Sequence, residues 1–330
     1  MWPSNSGSDT TSDPAPASGY DLPVLKLGLN TGYWAAGPPD GAVEAIAEAE
    51  RLGFDSIWTA ESYGSDVLTP LAWWGASTER VRLGTAIMQM SARTPAAAAM
   101  AAMTMDHLSD GRFVLGLGVS GPQVVEGWYG QHFPKPLART REYVSIVRDI
   151  VARGGRVEAP GPHYPLPVAE GTGLGKPLKS TPHPVRDRIP IFLGAEGPKN
   201  VALAGEIADG WLALFYSPHH DDFYRQALTE GLSRDGAHHD LDAFEVVATV
   251  PLIVHDDVEE AADWLRPMYA LYFRRHGRQG RELPQRRAAP NGLRRRSGKD
   301  SGALPRRQES RGGGGRADEA DRGVGSHRIR

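Results

Sequence analysis

The residues best suited to chemistry fall in one stretch, Leu108-Ser109-Asp110-Gly111-Arg112-Phe113-Val114-Leu115-Gly116-Leu117-Gly118-Val119-Ser120-Gly121-Pro122. It reads as a helix end, a turn at Asp110-Gly111, a short buried strand over 113–115, then a glycine-rich loop from Gly116 to Gly121. Pro122 suits the first turn of a new helix, where its missing N–H costs nothing. Bare main chain between a strand and a helix turns N–H groups outward, and the helix dipole adds partial positive charge. Such a loop suits an anion, usually a phosphate. The competing reading is a tight strand-to-helix turn with no ligand. The spacing Gly116-x-Gly118-x-x-Gly121 also matches the dinucleotide fingerprint, a weak signal standing alone. The design recurs once: a short strand over 190–194 runs into Ala195-Glu196-Gly197-Pro198-Lys199-Asn200 and a helix over 201–208.

Other side chains qualify singly. Glu61 ends a second strand over 54–61. A carboxyl desolvated there could exchange a proton with a ligand, or it could simply hold loop backbone. Asn30 and Ser62 are hydrogen-bonding groups at loop starts, and both also suit plain loop formers. Trp34, Trp58, Trp73 and Trp74 divide between pocket wall and core. Arg93 could position an anion or cap a helix start, and Lys199 could pair with a phosphate or with solvent. His219-His220 with Asp221-Asp222, and His238-His239 with Asp240, suggest a metal only superficially. Adjacent residues rarely point at one ion and no His-x-x-x-His is present, so no metal site is expected.

These residues need a scaffold. A first strand over 25–29, a helix over 41–52 capped by Asp40 and ended by Gly53, and a third strand over 81–88 precede the central stretch. A helix over 95–107 leads into it. Helices over 139–153, 222–234 and 258–273 and strands over 211–215 and 244–254 follow. Strands alternating with helices indicate a parallel α/β fold. A Rossmann fold puts its glycine loop after the first strand, whereas here such loops follow the fourth and fifth. A (β/α)8 TIM-type barrel fits better, because all its strand C-termini open on one mouth. Residues 154–188 dissolve into Pro, Gly and short basic pieces and read as a functional insertion or lid.

Composition bounds the rest. The 330 residues are 40% hydrophobic, carry a formal net charge of -3 and contain no cysteine. Disulfides and thiol chemistry are excluded, nucleic acid and membrane partners are not expected, and a cytoplasmic location fits. Residues 1–23, rich in Ser, Asp, Pro and Gly, read as a disordered lead-in. Residues 274–330 hold 16 Arg, no aromatic residue and only five of Val, Ile, Leu and Met, so they cannot pack a core. A basic nucleic-acid arm is one explanation, and a shifted reading frame in a GC-rich gene is the preferred one. In that case the barrel lacks its last strand and helix.

Several motifs, in order, carry a resemblance. Leu-Ser-Asp-Gly-Arg-Phe-x-Leu-Gly-Leu-Gly over 108–118 resembles the central motif of the luciferase-like monooxygenase superfamily. Ile57 to Asp66, Leu68 to Trp74 and Phe192 to Asn200 are similar to its deazaflavin branch, the methylenetetrahydromethanopterin reductase-like proteins that use coenzyme F420. The resemblance runs over 24–273. It implies a barrel with the cofactor across the strand C-termini and a non-prolyl cis peptide in the third strand, here Ala86-Ile87. It also implies a phosphate-contacting loop over Gly116, Gly118, Val119, Ser120 and Gly121, and a second cofactor loop over Gly194, Ala195, Glu196, Gly197 and Pro198. Asn30 and Ser62 then face the ring or substrate, and Glu61 is the candidate catalytic residue. The implied function is an F420-dependent oxidoreductase moving a hydride to or from a small organic substrate, and a homodimer is compatible with it. The alternatives are an FMN-dependent monooxygenase and an inactive cofactor-binding remnant.

The frame reading carries its own test. Arg274 to Gln285 can be encoded so that the next frame reads Gly-Gly-Met-Gly-Ala-Arg-Ala-Gly-Asn-Phe-Leu-Asn, which resembles the family's continuation. Sequencing the gene around codon 274 should show one inserted or deleted base relative to that frame; an intact frame rejects the idea.

Overall fold

The computed structural model describes residues 25–34 and 36–276. The expected lead-in over 1–23 lies outside the described residues, as does the expected tail beyond His276.

Each element forms where burial and local chemistry agree. Helix α1 (Ala42–Arg51) buries Ala42, Ile46 and Ala49 at helical spacing. It gives way at Gly53, whose φ of +84° few other residues tolerate. Helix α2 spans Leu68–Gly75. Helix α3 (Pro95–Leu108) is capped by Thr94, whose hydroxyl accepts the Ala97 N–H at 3.2 Å. Strands β1 (Gly28–Asn30), β2 (Ser56–Thr59) and β3 (Arg82–Thr85) are followed by β4 (Met88–Gln89) and β5 (Phe113–Gly118). Helices α4 (Pro122–Gly127) and α5 (Pro136–Ala152) precede β6 (Ile191–Gly194) and α6 (Pro198–Ile207). Strand β7 (Gly210–Ala213), α7 (Asp221–Leu232), β8 (Glu245–Ala248) and α8 (Val258–His276) complete the described chain. Among these residues no helix is long and apolar enough to cross a membrane.

All strand pairings are parallel, in the order β1-β2-β3-β5-β6-β7-β8, with β4 also on β5. The predicted third strand over 81–88 is therefore one strand broken at Ala86-Ile87, whose peptide is cis. Alternating helices clothe the outer face, so the architecture is the (β/α) barrel expected, with seven strand positions among the described residues. Most of the core lies between sheet and helices, including Phe113, Leu115, Tyr143, Ile191 and Trp211. A smaller core of Trp58, Val114, Phe192 and Leu212 fills the interior of the sheet. Trp58 stacks on Phe192 with ring centroids 6.1 Å apart, and side-chain-free Gly28 and Gly84 make room for its indole. At the strand N-termini, Arg82 pairs with Asp55 and with Glu245 (2.6 Å), tying β3 to β8 across the interior. Stability is built at this end, as barrels generally do.

One expectation changes. The central strand runs six residues, Phe113–Gly118, because Gly116 and Gly118 pair with Phe192 and Gly194 rather than starting a loop. The segment over 154–188, expected as a functional insertion or lid, is anchored to α5 and α3. Glu142 of α5 accepts the N–H groups of His163 (3.0 Å) and Tyr164 (2.6 Å), and Arg186 pairs with buried Asp106 of α3 (2.6 Å).

Gly116 is the tightest point of the sheet: a Cβ there would lie 1.7 Å from the carbonyl oxygen of Thr85. The Thr85 main chain cannot yield and Leu212 Cδ1 stands 2.7 Å away, so Gly116→Ala is expected to cost about 3 kcal/mol or more, read as a lowered urea midpoint. A loss below about 1 kcal/mol would show that the sheet relaxes there.

Candidate functional site

The carboxyl ends of the strands gather Asn30, Glu61, the Ala86–Gln89 break, and the segments following β5, β6 and β7 on one rim. The break organises them. The Thr85 hydroxyl donates to the carbonyl of Gly116 and accepts its N–H, both at 2.8 Å, which replaces ladder bonds lost where the strand bends. Beyond the cis peptide the chain rejoins the sheet as β4, with Met88 opposite Leu117 and Gln89 opposite Gly118. The Ile87 side chain lies against Gly118 and Gly194; a Cβ on either would come within 2.6 and 2.8 Å of it. Ala86 and Ile87 are half-buried, so this bulge presents apolar surface at the mouth. Trp58, Phe192, Val114 and Leu212 close the interior beneath it.

Glu61 is almost fully buried, and both its oxygens accept from Nη1 of Arg93 at 2.9 Å. It also accepts the backbone N–H of Gln89 at 2.9 Å. The Gln89 amide donates in turn to the carbonyls of Glu61 (3.3 Å) and Ser62 (3.0 Å), and the Tyr143 hydroxyl donates to the carbonyl of Arg93 (3.1 Å). Of the two roles open to Glu61, these contacts favour holding the loop after β2 against β4. Gln89 Oε1 is buried with no partner among the described residues. Its amide is oriented by two carbonyl acceptors, so this acceptor is left over beside the bulge.

The two glycine segments divide differently from the expectation. Gly116 is withdrawn from any ligand cradle, since its N–H is bonded to Thr85 and it is buried in β5. Gly118 is likewise buried in the strand, whereas Val119, Ser120 and Gly121 lie past the last strand pairing at the mouth. Ser120 has a φ of 58°, the left-handed conformation that turns successive N–H groups to one side. In the second segment Gly194 ends β6, Gly197 is the N-cap of α6, and Pro198 is its first residue. Ala195 is buried and its carbonyl accepts the indole N–H of Trp211 at 2.7 Å. Glu196 is largely enclosed, and one oxygen accepts the Leu214 N–H at 3.2 Å. Burial pushes its carboxyl up to about 7.

The remaining candidates scatter. Asn30 accepts the Gly32 N–H (2.9 Å), a local turn. Trp58 is interior core, Trp74 packs against Trp34 with centroids 6.2 Å apart, Trp73 is exposed, and so is Lys199. His239 pairs with Asp209 at 2.9 Å. Among the described residues no three His, Asp or Glu side chains stand where a metal could be held. Sequence reasoning missed Thr85, Gln89 and the role of Arg93. Their partners lie 27 to 32 residues away, on β5 or in the loop after β2, where no local pattern signals them.

Comparison with known proteins shows the family and the fold. The family model of the luciferase-like monooxygenases matches residues 24–318, so it continues past Phe273, where the motif resemblance was expected to stop. A Mycobacterium tuberculosis protein provisionally named a coenzyme F420-dependent oxidoreductase is 60% identical over 251 residues, covering 76% of this chain and 72% of that one. The 5,10-methylenetetrahydromethanopterin reductase of Archaeoglobus fulgidus is 32% identical over 225 residues, covering 68% and 63%. In fold, the F420-dependent tetrahydromethanopterin reductase of Methanopyrus kandleri superposes with a TM-score of 0.60 at 24% identity, over 75% of this chain and 72% of that one.

Removing Arg93 would strand a carboxylate whose side chain is only 5% exposed. Arg93→Ala should therefore cost about 2–4 kcal/mol in denaturant unfolding, somewhat less than a fully buried pair because Arg93 is partly solvated. A loss within about 0.5 kcal/mol would mean the pair holds nothing.

Proposed function

The chain belongs to the luciferase-like monooxygenase family, and from that premise we propose that it is an oxidoreductase whose rim binds coenzyme F420 for hydride transfer with a small organic substrate. The observation that carries this reading is the meeting, on one rim, of the apolar Ala86-Ile87 bulge with the two backbone segments after β5 and β6. The 60% identical relative named for F420 supports the choice of cofactor.

The residues present fit such a group. Its flat, mostly apolar ring needs a face, and Ala86 and Ile87 offer one above a filled interior. The leftover acceptor of Gln89 stands beside that face. An anionic tail needs N–H donors in place of carboxylates, and Val119, Ser120, Gly121 and the first turn of α6 from Gly197 supply main chain there. A bound deazaflavin supplies hydride chemistry that the twenty side chains lack, and without a flavin's reactive ring nitrogen it favours dehydrogenation over oxygen activation. The protein's own share is orientation and exclusion. Glu61, Arg93 and Gln89 keep the loops after β2 and β4 in place, and that rigidity fixes the surface on which a ring would lie. The segment over 154–188 connects to the same network, because Tyr164 packs edge-on against Tyr143 (5.4 Å), which bonds to Arg93.

F420 should raise the melting temperature of the purified protein, since a ligand at a hundredfold its Kd stabilises the folded state by about 2.7 kcal/mol. FMN at equal concentration should have no comparable effect. Stabilisation by FMN with none by F420 would turn the assignment to a flavin monooxygenase, and no response to either would remove the cofactor reading.

A further inference from the structure

Glu196 differs from the other carboxylates at the rim. Glu61 is neutralised by Arg93, Asp66 receives two backbone N–H groups with Arg93 3.9 Å away, and Asp221 is paired with Arg225 and Tyr216. Glu196 receives one N–H, from Leu214, and among the described residues no Arg, Lys or His is ion-paired to it. Its surroundings are Ala195, the β7 end and the aromatic group of Trp211 and Tyr224 (centroids 4.9 Å apart). Among the described residues the titratable side chain that faces it is the Tyr224 phenol of α7, which burial first and then the charge of Glu196 make harder to ionise. Glu196 also occupies a particular place. It lies two residues after Gly194, which packs on Ile87, and immediately before Gly197, the N-cap of α6.

We propose that filling the rim protonates Glu196, so that binding of the anionic cofactor takes up one proton. This rests on the cofactor reading above and deepens it. A ring seated over Ile87 with its tail along the first turn of α6 covers the remaining path from this carboxyl to water. A phosphodiester there adds a like charge. Both effects disfavour the carboxylate and favour the neutral acid, which can also donate a hydrogen bond to the newcomer. In the free protein burial alone already brings the group to about 7, so the coupling acts near neutrality. The sign follows from linkage: the complex holds more protons than the free protein, so affinity falls as pH rises above the free-protein value. The limit is tenfold in Kd for each pH unit.

The test is F420 titration of the full chain and of Glu196→Gln, followed by fluorescence from about pH 6 to about pH 9. Calorimetry in two buffers of different ionisation heat counts the protons. The wild type should lose at least about tenfold in affinity between neutral and alkaline pH and take up close to one proton. Glu196→Gln, which cannot titrate, should change less than about twofold and bind more tightly at the alkaline end. Titration of the cofactor itself is common to both proteins and cancels in their ratio. Melting without cofactor gives an independent readout. The raised folded value means that wild-type stability falls as pH rises from the usual carboxylate range to neutrality, so the melting gap in favour of Glu196→Gln should widen over that window. A constant gap, or equal pH slopes of binding in the two proteins, overturns the inference while leaving the cofactor reading intact. No F420 binding by either protein overturns both.

Discussion

The structure depends on close approach between the third strand, its neighbour β5 and the next strand along, β6. Where the strand breaks at Ala86-Ile87, Thr85 bonds both polar groups of Gly116, and Ile87 rests in the space that Gly118 and Gly194 leave. A side chain at any of those glycines would meet main chain or a branched residue that cannot retreat. The rim surface is therefore shaped by what three positions lack. The fold, the bulge and the site share one set of contacts, so they stand or fall together.

Charge is arranged to serve that shape differently at the two ends of the sheet. At the strand N-termini, Arg82, Asp55 and Glu245 tie distant strands across the interior. At the C-termini, Arg93 and Gln89 lock Glu61 and with it the loop after β2. Both groups satisfy every charge they bury, as a low-dielectric setting demands. Glu196 is the exception among the described rim residues, a largely enclosed carboxyl answered by one N–H. An uncompensated group of that kind is stable only if it can shed its charge, and this is why it stands out from its neighbours.

Much of the architecture was legible in the residues. The alternation of short apolar runs with amphipathic helices gave the parallel α/β order, and glycine loops after later strands separated a barrel from a Rossmann sheet. The motif resemblance placed the cis peptide at Ala86-Ile87, where the structure has it. Boundaries were less legible. Gly116 and Gly118 read as loop because glycine favours loops locally, yet strand pairing and the need for close packing overrode that propensity. Trp58 was left open between pocket wall and core, and Gly28 and Gly84, far from it in sequence, decide for core by opening the interior space that takes it.

By itself the sequence determined the order of elements, the family, and which stretches of main chain are bare enough to meet a ligand. These are local properties, set by periodicity and by residue types within a few positions. Only the tertiary structure decided which carboxylate is paired with an arginine. Glu61 and Glu196 look alike as strand-end acids, and nothing adjacent distinguishes them. The difference is an arginine 32 residues from Glu61 that the fold brings within 2.9 Å, with no counterpart for Glu196 among the described residues. Electrostatic environment depends on distance through space and on exclusion of water, and neither exists until the strands have been brought side by side.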